Sequence, residues 1–406
     1  TEESLGPVYG STSEFSAFAA VVGGAFTVNS TGDAPDAAPG NGVCDTGANN
    51  SLGDPECTLR AAIEEANAAS DHNDITFAIP QTEAGYSASP EAFTITPTAV
   101  YDDIIHPVSI DGATQAEYGP NPVIQLDGKD ATGATAGLVL ETDDSLINGL
   151  IVHTFDDEGI EIDASTGGGQ RNVLSNNWVG VDAAQAARPN LDVGVLVTVG
   201  AGDNTITGNV ISSNTTSGLV IRNAGSDDNV VQGNIIGLAP DGLTPRPNGS
   251  HGVEIYDGAA GNVIGGTSAI NANVIAHNTG DGVNVAVAAG ADNAVLRNTV
   301  HSNGDLGIDL GIDGVTANSN LDVWTNYPYI VAATESGGTV TVDFEIEVAA
   351  GTYRIEAFTN PGGADPTGHG EGEAYEDFQT IVHTGSGSES FQLTYAGAVD
   401  EVVTLT

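Results

Sequence analysis

The chain has 406 residues, 40% of them hydrophobic and 16% charged, a balance that can build a core and that excludes a wholly disordered protein. Eight Lys and Arg stand against 55 Asp and Glu, a formal net charge of −47, which excludes anionic partners such as nucleic acid and acidic membrane surfaces. Such a surface also repels itself, so composition points to a high-salt, halophilic setting, where the screening length falls to about 3 Å at 1 M, or to bound calcium.

Residues 1–25 read as a strand-like tail. The longest apolar run, from Phe15 to Phe26, is roughly half the ~20 residues of a membrane span and contains Gly23-Gly24, so no membrane insertion is expected. The acidic start Thr1-Glu2-Glu3 is not that of a signal peptide, and methionine is absent, so an exported, extracellular or cell-surface chain with its signal removed is expected. Phe15, Phe18, Val21 and Val22 give the tail contacts by which to join a sheet, on the chain's own first coil or on a neighbouring molecule.

Residues 26–74 form a candidate cap. Cys44 and Cys57 are the two cysteines, and a bridge between them closes a short loop worth roughly 3 kcal/mol in chain entropy. Leu59, Ala62, Ile63 and Ala66 fall at i, i+3, i+4 and i+7, the stripe of an amphipathic helix, with Thr58 as its N-cap and Arg60 placed to pair with Glu64. The run Cys57-Thr58-Leu59-Arg60-Ala61-Ala62, with Phe26-Thr27-Val28-Asn29-Ser30 before it, resembles the CSLREA-type N-terminal module of secreted parallel β-helix proteins. It departs from that pattern at Thr58, where Ser is usual, and at Ala61. The resemblance implies a helix plugging the open end of a solenoid.

Residues 75–330 carry the repeat. Strands are expected at 75–79, 92–95, 108–112 and 123–128, and then one phrase returns, Gly followed by apolar, any residue, apolar, at Gly137, Gly159, Gly194, Gly218, Gly252, Gly282 and Gly307. The spacings, 22, 35, 24, 34, 30 and 25, describe a turn in the low twenties with insertions, the period of a solenoid. Asn190, Asn214, Asn248, Asn278 and Asn303 each stand four residues before a repeat glycine, and Asn-x4-Asn pairs recur at 172/177, 204/209, 229/234 and 293/298. Short Val/Ile segments cornered by Gly and Asn predict an all-β fold, a right-handed parallel β-helix of about ten coils and close to 50 Å, with the asparagines stacked as a buried polar ladder. The longer insertions, 178–190 and 236–249, leave and re-enter the coil at equivalent places and are expected on one side of the rod.

From 331 to 406 the period changes to two. Val340, Val342, Phe344, Ile346 and Val348 alternate with polar residues, and further segments at 352–359, 374–384, 389–396 and 400–406 make five strands of a small antiparallel β-sandwich.

Local motifs for chemistry are sparse. The coils hold few cations for a lyase, and the carboxylate pairs Asp156-Asp157 and Asp227-Asp228 are expected by chance among so many acids. His277 and His301 stand five and six residues before their glycines, out of step with each other, and read as surface histidines. Asp203, Asp227, Asp228 and Asp292, in Asp/Asn-rich corners, are candidate calcium ligands that match no calcium-loop pattern. The expectation is therefore a non-enzymatic cell-surface protein without catalytic residues, its tail at 12–22 completing the sandwich of the next copy in a head-to-tail homopolymer. The rival is an extracellular protein that binds or cleaves polysaccharide on the flank bearing the insertions.

Overall fold

The computed structural model describes residues 23–133, 136–311, 314–315, 318, 326–363, 371–397 and 402–406. Phe15, Phe18, Val21 and Val22 lie outside the described residues.

Each coil visits three parallel sheets in turn. In one coil the chain runs through Leu146–Asn148 in the first sheet, Leu150–His153 in the second and Ile160–Asp163 in the third, then rises to Val173–Ser175, back in the first. The first sheet has nine strands, from Ala25–Val28 to Ala294–Leu296; the second has nine, ending at Thr299–His301; the third has seven, from Leu138–Leu140 to Ile308–Leu310. This is the parallel β-helix, coiled with the right hand of parallel crossovers. Eight strand spacings in the first sheet give a rod of about 38 Å, shorter than expected because the early segments share coils.

The interior is apolar and rich in branched side chains. Ile160, Ile162, Val195, Val197, Leu219, Ile221, Val253 and Ile255 of the third sheet meet Ile147, Leu174, Ile206 and Val231 of the first in one continuous core. Every corner carries its own asparagine column. The three run 172-204-229-262-293, 177-209-234-273-298 and 190-214-248-278-303, and in each the Asn Oδ1 accepts from the amide N–H, the side-chain N–H or both of the Asn one coil earlier. The third column explains the recurring glycine. A Cβ on Gly194 would lie 2.5 Å from Asn214 Nδ2, and one on Gly218 or Gly252 2.8 Å from the next ladder amide, so Asn-x3-Gly is one packing unit.

The cap helix spans Leu59–Ala68, with Thr58 accepting from the Ala61 N–H and Leu59, Ala62, Ile63 and Ala66 joining the core of the first coil. Cys44 and Cys57 are bridged. Arg60 does not pair with Glu64. It binds Asp33 at 2.9 Å, donates to the Ala99 and Val100 carbonyls and lies over the Tyr101 ring, because the loop before the first coil folds over its guanidinium; Glu64 accepts the Asp36 N–H.

Beyond the last coil stand two three-stranded antiparallel sheets. Tyr329–Ser336, Thr339–Ile346 and Glu389–Ala396 form one, and Ala374–His383, Gly351–Asn360 and Val402–Leu405 the other. They enclose Val340, Val342, Phe344, Ile346, Ile355, Ala357, Ile381 and Leu393. There are six strands among the described residues rather than five; Tyr329–Ser336 escapes periodicity because both its faces are largely exposed. Two carboxylates of this sandwich finish the rod. Glu371 accepts from Ser302 N–H, from Asn303 N–H at 2.9 Å and from Asn303 Nδ2 at 3.2 Å, standing where the next ladder asparagine would, and Glu356 accepts from Arg297 N–H at 2.7 Å. Glu371→Ala is expected to lower the melting temperature by a few degrees through these orphaned buried amides, about 2 kcal/mol; an unchanged melting curve would contradict this capping role.

Candidate functional site

The outward positions of the third sheet assemble what no local motif displays. Register stacks Val139, Glu161, Leu196, Val220, Glu254, Asn284 and Asp309 in one column, one residue per coil. A second column, two residues later, holds Asp163, Thr198, Arg222 and Tyr256. The residues just before the repeat glycines, Glu158, Val193, Ser217, His251 and Asp281, flank the same face. Val193, Leu196 and Val220 pack with Tyr256 into a small apolar floor, buried although it points away from the core.

Acid–base groups surround that floor. Glu161 is half-buried, and loss of solvent, with Asp163 nearby, pushes its pKa up to about 7 against the opposing pull of Arg222. Arg222 donates to Thr198 Oγ1 at 3.2 Å and Tyr256 Oη at 3.3 Å, which holds the guanidinium flat along the face. On the other side Glu254 Oε2 accepts from Ser217 Oγ at 3.0 Å. Ser217 lies one coil nearer Glu161, so this bond draws Glu254 toward the floor. The α-carbons of Glu161 and Glu254 are three strand spacings apart, about 14 Å, on either side of Leu196 and Val220 in the same column.

Next to Glu254 sits His251. Its Nδ1 is 3.0 Å from Asp281 Oδ2 and 3.1 Å from the Asp281 amide nitrogen, so a protonated Nδ1 bonds the carboxylate and an unprotonated one accepts the amide. Burial opposes a charge on His251, but the bond to Asp281 and the neighbouring Glu254 and Asp305 outweigh it and raise its pKa. Asp281 would be raised by burial, yet bonds from His251, Asn284 Nδ2 and Leu306 N–H hold it below the ordinary carboxylate range.

At the near end of the face Asp157, Glu158 and Asp192 bring one carboxylate oxygen each within 4.8 Å of one another. Burial raises Glu158 to about 7, with Asp157, Glu161 and Asp192 adding to the effect against its own amide.

The sequence-level candidates fall elsewhere. Asp203, Asp228 and Asp292 occupy equivalent positive-φ corners, at 56°, 57° and 63°, each directly before a ladder asparagine, and Asp227 Oδ1 accepts the Ala260 N–H at 2.8 Å. They form no group of three potential ligands; among the described residues that arrangement belongs to Asp157, Glu158 and Asp192. His277 and His301 stand one position out of step, since adjacent strands pair Ala276 with His301, but the corner after Ala276 turns back at a positive φ and the rings still meet edge to face at 5.9 Å. The insertions lie together, as Arg246 Nε donates to Gln185 O at 2.9 Å, and Val181 of the first packs on Ile151, Trp178 and Val210 of the second sheet. The acid–base face is thus on the neighbouring sheet, not the flank that bears the insertions. Glu161, Arg222, Glu254, Tyr256 and His251 escaped sequence reading because consecutive members lie up to 61 residues apart; counting outward positions from each repeat glycine would have aligned them.

No protein-family model matches the chain, so the resemblance of its cap to CSLREA-type modules has no match of that kind, and no curated protein matches it either. Among solved structures it is similar to a mutant of the periplasmic alginate epimerase AlgG, at 18% identity over 59% of this chain and 56% of that one, with a TM-score of 0.37. A double mutant of the same epimerase gives 15% identity, 60% and 58% coverage and a TM-score of 0.31. The Dettilon tailspike protein gives 9% identity, 89% and 92% coverage and a TM-score of 0.26. The chain spans little more than half the length of the epimerase, and no residue role is carried across at these identities. The expectation of a non-enzymatic scaffold is nonetheless corrected: two of these similar structures are of an enzyme, and acid–base groups converge on a face where the sequence reading placed no chemistry.

Proposed function

We propose that this chain is an exported protein that binds a polysaccharide across the outer face of the third sheet and hydrolyses it. The observation that carries this reading is the outward column in which Glu161 and Glu254 stand on either side of Leu196 and Val220, with Arg222 and Tyr256 in the column alongside. Glu161 keeps its proton near neutrality and gives it to the glycosidic oxygen as the bond to the anomeric carbon breaks. Glu254 takes a proton from the water that attacks that carbon, the division of labour of two-carboxyl glycosidases. Tyr256 offers a ring face and Arg222 a fork of donors to sugar hydroxyls. The acidic surroundings favour a hydroxyl-rich glycan over a densely anionic one.

The test is release of reducing ends from a panel of neutral and uronic-acid polysaccharides in concentrated KCl. Glu161→Gln and Glu254→Gln, each verified as folded by circular dichroism, are expected to lower the rate on a neutral polymer by roughly a hundredfold or more. Parent-like rates in both variants, or cleavage of no polymer by the parent, would refute the assignment.

A further inference from the structure

We propose that the β-sandwich of one copy takes residues 12–22 of a second copy as an added strand along its open edge, so that rods join base to tip. The edge is Tyr329–Ser336, which among the described residues is hydrogen-bonded into its sheet on one side only, to Thr339–Ile346. Its inward side is unfinished. Ala333 stands opposite the buried Val342 and so faces the core, yet it is exposed, and Ile330, opposite Phe344, is only half-buried. Across the seam Val403 and Leu405, which border the same core from the other sheet, are half-buried too. On the outward side Tyr329 and Val331 are 65% and 56% exposed. An unpaired edge with apolar side chains open on both faces is a template for a further strand.

Residues 12–22 carry the matching pattern. Glu14 is the one charged residue among them, in a chain of net charge −47. Phe15, Ala17, Ala19 and Val21 alternate with Ser16, Phe18, Ala20 and Val22, so in an extended segment one side suits the seam and the other suits Tyr329 and Val331. Reach decides which copy receives it. The segment lies outside the described residues and leads into Gly23 at the base of the rod, where Gly24 N–H donates to Asn73 Oδ1 at 2.8 Å. At about 3.3 Å per residue its middle stands no more than about 18 Å from Gly23, half the ~38 Å of stacked coils. The sandwich docks at the other end of those coils, where Val300 N–H donates to the Gly372 carbonyl at 2.8 Å. A copy's own edge is therefore out of reach, whereas the edge of a second copy stacked beneath its base is not. The contact joins unlike surfaces and repeats, which gives an open head-to-tail filament rather than a closed dimer. It needs no glycan and does not depend on the polysaccharide reading.

The test is the light-scattering mass of the full chain during size exclusion in concentrated KCl, at rising protein concentration. The parent is expected to grow from the mass of a single chain to multimers. A tail variant, Phe15→Glu/Val21→Glu, and an edge variant, Val331→Glu, should each stay at the mass of a single chain. Val331 is exposed, so its substitution leaves the monomer folded, as circular dichroism would verify. Mixed in equal amounts, the two variants should form pairs and stop there, because the tail variant still offers an edge and the edge variant still offers a tail. A parent that remains a single chain at every concentration overturns the proposal, as does a mixture without pairs. Multimers of the tail variant would mean that edges pair with each other, and would overturn it as well.

Discussion

Asn209→Ala is expected to destabilise the rod by about 4 kcal/mol, among the largest effects of a single substitution here. Asn209 is 1% exposed and sits mid-column. Its Oδ1 accepts from Asn177 N–H at 2.9 Å and Asn177 Nδ2 at 3.1 Å, while its Nδ2 donates to the Leu174 carbonyl at 2.9 Å and to Asn234 Oδ1 at 3.0 Å. Alanine leaves the Asn177 amide and the Leu174 carbonyl buried without these partners, at roughly 1–3 kcal/mol each, and opens a small cavity. Asn209→Asp should be no better, since a carboxylate cannot donate to Leu174 or Asn234. The denaturation midpoint in urea at fixed KCl measures the loss. Because Asn209 and Asn234 share a bond, the double variant Asn209→Ala/Asn234→Ala should cost less than the sum of the single ones. A loss below about 1 kcal/mol for Asn209→Ala would show that the columns contribute shape rather than stability.

Acid should weaken the fold through His153, by about 3 kcal/mol between pH 6.5 and 4. The imidazole is 2% exposed; its Nδ1 bonds Thr154 Oγ1 at 2.7 Å and its Nε2 is buried without a partner. Burial pushes its pKa down to about 4, with Arg188 and Lys129 helping and Asp127 and Asp182 opposing. The folded value lies below the unfolded one, so over this window the unfolded chain binds a proton that the folded chain refuses. Stability is therefore full above pH 6.5 and falls as pH drops toward 4. Other acids titrate in the same range, and relief of the −47 net charge works the other way. The measurement is therefore a difference: unfolding free energy against pH for the parent and for His153→Gln. The parent should lose about 3 kcal/mol more than the variant across the window. Parallel curves would mean that His153 takes up its proton in the folded state as readily as in the unfolded one.

Much of the architecture was legible before any coordinates. The Gly-apolar-x-apolar phrase marks the third sheet, and the Asn-x4-Asn pairs mark the corners on either side of the first. These signals are readable because stacking imposes them: a side chain on Gly194 would strike Asn214 one coil up, so the two residue types must recur in phase. The cap helix follows from its apolar stripe and Thr58, both local. Arg60 did not follow, because Asp33 and the carbonyls of residues 99 and 100 come from distant loops. Counting from the glycines gives the one-position offset of His277 and His301 but not their ring contact, which depends on where the chain turns back after Ala276.

By itself the sequence determined the repeat, short strands with Gly and Asn corners, the bridged cap, the change to a period of two near residue 330, and a strongly acidic composition. These depend on composition and on contacts between like positions, and periodicity reports both. Only the tertiary structure decided which outward residues share a face. Glu161, Arg222 and Glu254 belong to different coils, and Asp157 and Glu158 meet Asp192 across a corner with an insertion between them. Outward positions are not constrained by the core, so nothing periodic in the sequence marks them. Strand register alone brings them together, and register is fixed by the buried residues on the other side of the sheet.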